Sequence, residues 1–542
     1  MVFNRKKEEE NLQQSFGKLK DATFDFDSIG KYFRKKQHPD AFQIISDKTC
    51  DDLDFEELFM FLDRTQSKVG QQYLYNKLRV IPENHQEVAS HEALLTRLIN
   101  EPAYRVAIQK QLKKLDKRES YYIPALFQDE HLQPPKWFFL IRILSFSSLL
   151  SLVLIPFLPQ MLFFWSFIIL INFALHYRNK RNLYAYLAPI PQLLIMNSVA
   201  RELFKDHSLK KLNPNLASSI KDINKVRNRM SLFKLEANLG GDAVAIFWAF
   251  VDIIKIVFLL EPLLLFGVLK QLDTKRKQIE EVYSFIGLTD TLISVASLRH
   301  GLTHYCQPEV HGSDKKISAR EVYHPLIPEC VTNNIEINGK SILLTGSNMS
   351  GKTSFIRTIG INAITAQTIN TCFARQFSLP KMRVFSAIRI SDDLMNDRSY
   401  YFQEVLTIKE MIDKSHSETP NIYLLDEIFK GTNTIERISA GKAILSSLNQ
   451  NNHIVFVSTH DIELADLLKD EYELFHFSEI VNHQSIDFDF KLKDGKLKNR
   501  NAIRILQINE YPDEIIKEAI KISADLDKAS LHVKPNLSIS GQ

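Results

Sequence analysis

The chain has 542 residues, 45% of them hydrophobic, and its 68 basic and 64 acidic side chains leave a formal charge of +4. This excludes a disordered polyelectrolyte, allows roughly two to four structural units, and neither demands nor excludes a polyanionic partner. Cys50, Cys306, Cys330 and Cys372 lack metal-ligand spacing, which suits a reducing compartment, and the charged start Met1-Val2-Phe3-Asn4-Arg5-Lys6-Lys7-Glu8 does not read as a secretory signal.

Residues 1–45 form a polar segment with basic runs at Arg5-Lys6-Lys7 and Arg34-Lys35-Lys36. Residues 46–136 carry a helical pattern, with Leu58, Phe61 and Leu62 followed by Leu74, Leu78 and Ile81. Residues 137–177 read as a transmembrane helical hairpin. No Asp, Glu, Lys or Arg occurs between 143 and 175, and the segments 137–157 and 160–177 each reach the roughly 17–25 residues of a bilayer span. Pro156 and Pro159 supply the turn, while Trp137 and Tyr177 stand at the interfacial ends. Lys136, Arg142, Arg178, Lys180 and Arg181 flank the spans and the turn has no charge, which predicts both flanks on the cytoplasmic side of an inner (cytoplasmic) membrane. Arg142 lies near a span end, where it can snorkel. A buried hairpin in a soluble core is the competing reading.

Residues 178–305 continue as helices. Within them the apolar stretch 243–269 contains Asp252, Lys255, Glu261 and Pro262, costly at a bilayer centre, so a buried or interfacial helix is expected there. Residues 270–302 read as one long helix leading into an α/β domain at 306–525, and residues 526–542 form a polar tail.

The chemistry concentrates in 306–525. Gly346-Ser347-Asn348-Met349-Ser350-Gly351-Lys352-Thr353 fits the phosphate-cradling pattern G-x-x-x-x-G-K-[ST]. It sits between the apolar run Ile342-Leu343-Leu344 and a helical pattern beginning at Ser354, so backbone N–H groups and a helix dipole converge on an anion. Lys352 is placed to reach the β- and γ-phosphates of ATP, and Thr353 to ligate Mg²⁺. A glycine-rich turn can match by chance, but a partner motif follows. Ile422-Tyr423-Leu424-Leu425-Asp426-Glu427 reads as a buried parallel strand ending in two acids, Asp426 for the Mg²⁺ shell and Glu427 for the attacking water. Ile454-Val455-Phe456-Val457-Ser458-Thr459-His460 is a second such strand, and His460 at its end can sense the γ-phosphate.

Together these segments resemble the MutS family of mismatch-repair ATPases. The resemblance rests on the Asn348-Met349 pair in the loop, on Asp426-Glu427-Ile428-Phe429-Lys430-Gly431-Thr432-Asn433-Thr434 and on Ser458-Thr459-His460. It also rests on residues 392–404, through which Ser399 inherits a role at the nucleotide of a neighbouring subunit, so a homodimer is implied. The likeness is good over 319–524 and weaker over 290–308 and 59–79. Departures are Phe429-Lys430 for a Gly-Arg pair, Ser350 for a loop glycine, and Cys330-Val331 for an aromatic expected opposite Phe490, which stands where a histidine stacks on adenine.

The implied fold is an α/β P-loop ATPase domain of ABC/MutS type, preceded by an all-α core and lever region that carries the hairpin. Too few residues precede the core for the family's mismatch-reading domain. Phe55-Glu56-Glu57 matches its Phe-x-Glu wedge only literally, since Phe402-Gln403-Glu404 does so too. No Leu-Ser-Gly-Gly-Gln separates Lys352 from Asp426, which disfavours a conventional ABC transporter. Basic clusters at Lys113, Lys114, Lys117 and Arg118 and at Lys491, Lys493, Lys496, Lys498, Arg500 and Arg504 are candidate contacts for duplex, mismatched or branched DNA, with solvated faces the alternative for both and anionic lipid a further one for the first. The expected function is a membrane-anchored MutS-like ATPase acting on DNA in mismatch repair or recombination. The alternative is a membrane ATPase that passes nucleotide-driven motion to a protein or lipid partner without binding DNA.

Overall fold

A computed structural model describes residues 2–237, 253–312, 314–347, 349–389, 400–481, 486–497, 502–509 and 511–532. The chain divides into a helical unit, Met1–Ile44 with Glu56–Thr303, and a mixed α/β unit, Ile45–Phe55 with His304–Gln542.

The helical unit is organised on the 26-residue helix Arg276–Gly301, which is buried along most of its length. Helices Lys68–Arg79, Glu92–Asn100, Pro189–Leu203 and Leu216–Ala237 pack around it. The contact with Lys68–Arg79 is a glycine seam. A Cβ on Gly70 would overlap the Asp290 carboxylate, and one on Gly287 would overlap the Tyr73 ring. Asp290 is buried and accepts from Gln66 N and Ser67 N, both at 2.8 Å, and from Ser67 Oγ at 2.6 Å. Burial pushes its carboxyl up to about 7 against the pull of these donors. Phe55, the first residue of the literal wedge match, is buried at the start of the helix Phe55–Leu62.

Two apolar helices, Phe138–Leu154 and Met161–Leu187, pack side by side in this unit. Among the described residues one helix is long and apolar enough to cross a membrane, at Met161–Arg178, and Phe138–Leu154 is a shorter apolar one. Their outward faces are large and apolar, including Phe139, Phe146, Phe157, Phe163 and Leu170, all exposed. Among the inward polar groups, Asn172 donates to Val257 O at 2.7 Å and His176 Nδ1 lies 3.2 Å from Glu261 Oε2, whereas the buried Ser148 hydroxyl has no hydrogen-bond partner among the described residues. Of the apolar stretch expected at 243–269, residues 243–252 lie outside the described residues. The rest includes the helix Leu260–Asp273, on which Glu261 is buried.

The α/β unit is built on a six-stranded sheet. Its strands are β1 (Ser341–Thr345), β2 (Arg383–Ala387), β3 (Asn421–Asp426), β4 (Ile454–Thr459), β5 (Tyr472–His476) and β6 (Lys493–Asp494), ordered β6-β5-β1-β4-β3-β2. All neighbours are parallel except β5 and β6. β1, β3 and β4 are apolar and buried on both faces, as a covered parallel sheet requires. A four-stranded sheet of Glu309–His311, Gln376–Pro380, Lys316–Val322 and Asn333–Asn338 lies in the same unit. Residues 46–55, expected in the helical core, group with this unit instead: helix α1 (Asp47–Asp52) packs beside β2, because its acids find their partners there.

Candidate functional site

Strand register assembles the site. Thr345 of β1 pairs with Thr459 of β4, and Ser458 pairs with Asp426 of β3, so the loop, His460 and Glu427 leave the sheet side by side. This is the carboxyl-end edge at which open α/β sheets bind ligands.

The loop 346–351 runs from β1 into helix α2 (Lys352–Ile369). It depends on glycine at both ends. Gly346 has φ +152°, and a Cβ there would stand 2.7 Å from Phe477 O; Gly351, the residue before the helix, has φ +105°. Met349 also has positive φ and is 84% exposed. Ser350, the departure from glycine, is buried and donates to Ser347 O at 2.8 Å, so its hydroxyl ties the loop rather than obstructing it. Ser347 in turn donates to Glu479 at 2.7 Å. Ser354 follows in the first turn of α2, and Asn348 lies outside the described residues.

Lys352 is buried and folds across the loop, its Nζ donating to Gly346 O at 2.8 Å and Ser347 O at 2.7 Å. Burial lowers its ammonium, partly offset by the charges of Glu427 and Asp426. Thr353 Oγ1 donates to Asp426 Oδ2 at 2.7 Å, and Ser458 Oγ donates to Asp426 Oδ1. A hydroxyl and a carboxylate at the first turn of α2 are hard oxygen donors of the kind Mg²⁺ takes together with phosphate oxygens. The residues present therefore fit that ion.

Glu427 is held from two sides. Lys430 Nζ lies 2.6 Å from Oε2, and His460 Nε2 contacts Oε1. Burial alone would raise the carboxyl, but these two partners bring it down to about 2. The turn that makes this possible has positive φ at Glu427 and Phe429, with Phe429 N donating to Glu404 Oε1 at 2.5 Å. His460 is steadied by its neighbour, as Asp461 receives both 2.8 Å hydrogen bonds of the Arg437 guanidinium.

A cavity of about 450 Å³ opens beside the loop, lined by Lys352, Thr353, Ser354 and Glu427 on one side and by Ile327, Cys330, Val331 and Phe490 on the other. The volume suits a mononucleotide. Phe490, at φ +50°, stacks on Phe488 at 5.8 Å and leaves part of its ring exposed. His324 also lines the cavity, with burial and then the Arg357 charge lowering its imidazole to about 4. Sequence reasoning missed His324 and Ile327, which belong to no motif, and the latch role of Lys430. Ser399 lies outside the described residues.

The basic clusters are largely committed elsewhere. Lys491 donates to Thr332 O at 2.8 Å, Lys493 lies 2.5 Å from Asp489, and Lys496 lies 2.5 Å from Asp466. Lys114 donates to Gln111 at 2.5 Å, and Arg118 lies 3.3 Å from Asp25. Lys498 and Arg500 lie outside the described residues.

Residues 342–527 match the family model for MutS domain V. The chain is also 28% identical over 265 residues to the DNA mismatch repair protein MutS of Listeria monocytogenes serotype 4a, covering 46% of this chain and 30% of that protein. The protein of the same name from Listeria welshimeri is 28% identical over 282 residues, covering 49% of this chain and 32% of the relative. That of Clostridioides difficile is 28% identical over 277 residues, covering 49% of this chain and 29% of the relative. The chain thus spans about a third of the length of the curated relatives it matches. The loop, the acidic strand end and His460 all fall within the matched region, and the likeness supports the MutS family for the α/β unit.

Proposed function

We propose that the chain is a membrane-anchored, Mg²⁺-dependent ATPase of MutS type that works at composite sites in a homodimer. The observation that carries this reading is the 2.7 Å bond from Thr353 to Asp426, set between Lys352 and Glu427 at the mouth of the cavity. Lys352 and the amides of residues 346–353 hold the phosphates, the lysine exchanging its loop carbonyls for phosphate oxygens. Thr353 and Asp426 hold Mg²⁺, which when bound neutralises charge on the phosphate oxygens. Glu427 orients the attacking water and accepts its proton, and His460 senses the γ-phosphate. Phe490 offers a face to adenine, and Ser399 completes the neighbouring subunit's site.

The test is Glu427→Gln, with turnover and nucleotide retention measured on detergent-solubilised protein. A loss on the order of 10²-fold or more in turnover with ATP retained is expected, since the amide cannot accept the proton. Unchanged turnover removes Glu427 from the reaction.

The apolar outer faces of Phe138–Leu154 and Met161–Leu187 support anchoring in the inner (cytoplasmic) membrane through 137–177, with the α/β unit on the cytoplasmic side. DNA is the proposed target, on the strength of the relatives' names. A second reading, in which motion passes to a protein or lipid partner, is favoured by the internal commitments of Lys491, Lys493 and Lys496. A salt titration with duplex, mismatched and branched DNA separates them. Affinity falling linearly in log salt and shifting with nucleotide supports DNA; hydrolysis without DNA binding at low salt supports the second reading.

A further inference from the structure

The segment Ile45–Phe55 is attached to the α/β unit at three points. Asp52, fully buried, accepts from Ser386 Oγ at 2.7 Å, Ile388 N at 3.1 Å and Arg389 N at 2.7 Å, while Lys48 donates to Asp52 at 2.8 Å. It thereby terminates β2 and fixes Ile388 and Arg389 just beyond it. Asp54 lies 2.6 Å from one guanidinium nitrogen of Arg389 and 3.0 Å from one of Arg357, which sits on α2 in the turn after Lys352 and Thr353. Leu53 is buried against the same helix: a Cβ on Gly360 would stand 3.1 Å from its Cδ2.

Two anionic side chains on one short segment therefore bind the helix that carries Lys352 and Thr353 and, at the same time, the chain leaving β2 at 386–389. A buried carboxylate that satisfies two backbone N–H groups sets their direction more firmly than packing alone. A site that depends on backbone register loses rate steeply when a group is misplaced by even an ångström. Nothing in the phosphate loop itself requires this arrangement.

We propose that Asp52 and Asp54 are positioning residues of the nucleotide site, acting on hydrolysis through Arg389 and Arg357 rather than by touching nucleotide. The proposal rests on the ATPase reading above. ATP turnover and equilibrium binding of ATP should be measured on the full-length protein for Asp52→Ala, Asp54→Ala and the exposed-side variant Arg389→Ala, each normalised to the fraction of chains that bind nucleotide. A fall in kcat on the order of tenfold or more, with ATP affinity within about threefold of the parent, is expected. Asp54→Glu should recover part of the rate, since the ion pairs can re-form.

A purely structural segment would lower the binding-competent fraction and leave kcat per competent site unchanged. That result with all three variants, in a parent chain that turns ATP over, overturns this proposal alone. If Asp52→Ala fails to fold, Arg389→Ala and Asp54→Ala still decide it. A parent chain that binds ATP without turnover overturns the hydrolysis reading and this proposal together.

Discussion

Glu427 contacts Lys430 at 2.6 Å and the His460 ring, and its carboxyl is brought down to about 2. Because the folded value lies below the ordinary 4.5, the stabilisation is present above that value and is lost as pH falls toward 2. Lys430→Ala removes one partner, so the carboxyl rises toward its ordinary range. The acid limb of the pH–rate profile should then move upward, and an unmoved limb would show that Lys430 does not act on Glu427. Gly346→Ala makes a complementary case. With φ +152° and Phe477 O at 2.7 Å from the added carbon, nucleotide binding should be lost while the circular dichroism spectrum is retained. At this scale the sequence was most readable where a function is contiguous. Gly346 to Thr353 is a single uninterrupted motif, and Asp426, Glu427 and His460 announce themselves as polar ends of apolar strands. Lys430 was read only as a departure from an arginine position, because its reach to Glu427 depends on positive φ at Glu427 and Phe429, which no residue pattern encodes.

Helices are legible as faces, and their partners are not. The stretch 270–302 was read as one long helix; the structure has it from Arg276 to Gly301, with 270–273 closing the preceding helix, and nothing in the sequence pointed to Lys68–Arg79 as a packing neighbour. The seam was encoded in Gly70 and Gly287, small residues that pass for unremarkable interruptions. Gly287→Ala should destabilise the helical unit by about 1–3 kcal/mol, as an extra methyl does in a packed interior, measured by urea unfolding. Asp290 adds a pH signature to the same seam. Its folded value of about 7 lies above the ordinary 3.8, so its contribution to stability is full below 3.8 and lost as pH rises through 7. Asp290→Asn should flatten the stability profile over that window. Residues 46–55 were read as the beginning of the helical core for the same reason: a short amphipathic helix looks alike wherever it docks.

For the whole molecule, the α/β character of 306–525 was readable, since the phosphate loop, the acidic strand and the histidine strand occur in parallel-sheet order, whereas length and composition gave only two to four units and did not place 46–55 in the α/β one. Two neighbouring apolar helices were legible from composition alone, and the exposed Phe146, Phe157 and Phe163 are the surface on which the membrane reading is to be tested. Removal of 137–177 should leave a soluble, dimeric ATPase, checked by light scattering and turnover without detergent; aggregation would place the hairpin in the core instead. The three-point attachment of 45–55 also bears on how such a chain can be divided or recombined. The α/β unit is contiguous in space but comes from two separated stretches of coding sequence, with some 250 residues between Phe55 and His304. A fragment starting at 304 would leave Gly360, Arg357 and the 386–389 backbone facing water. Heredity must therefore carry both stretches together, and an exchange that replaced only the C-terminal portion would inherit a nucleotide site without its own brace.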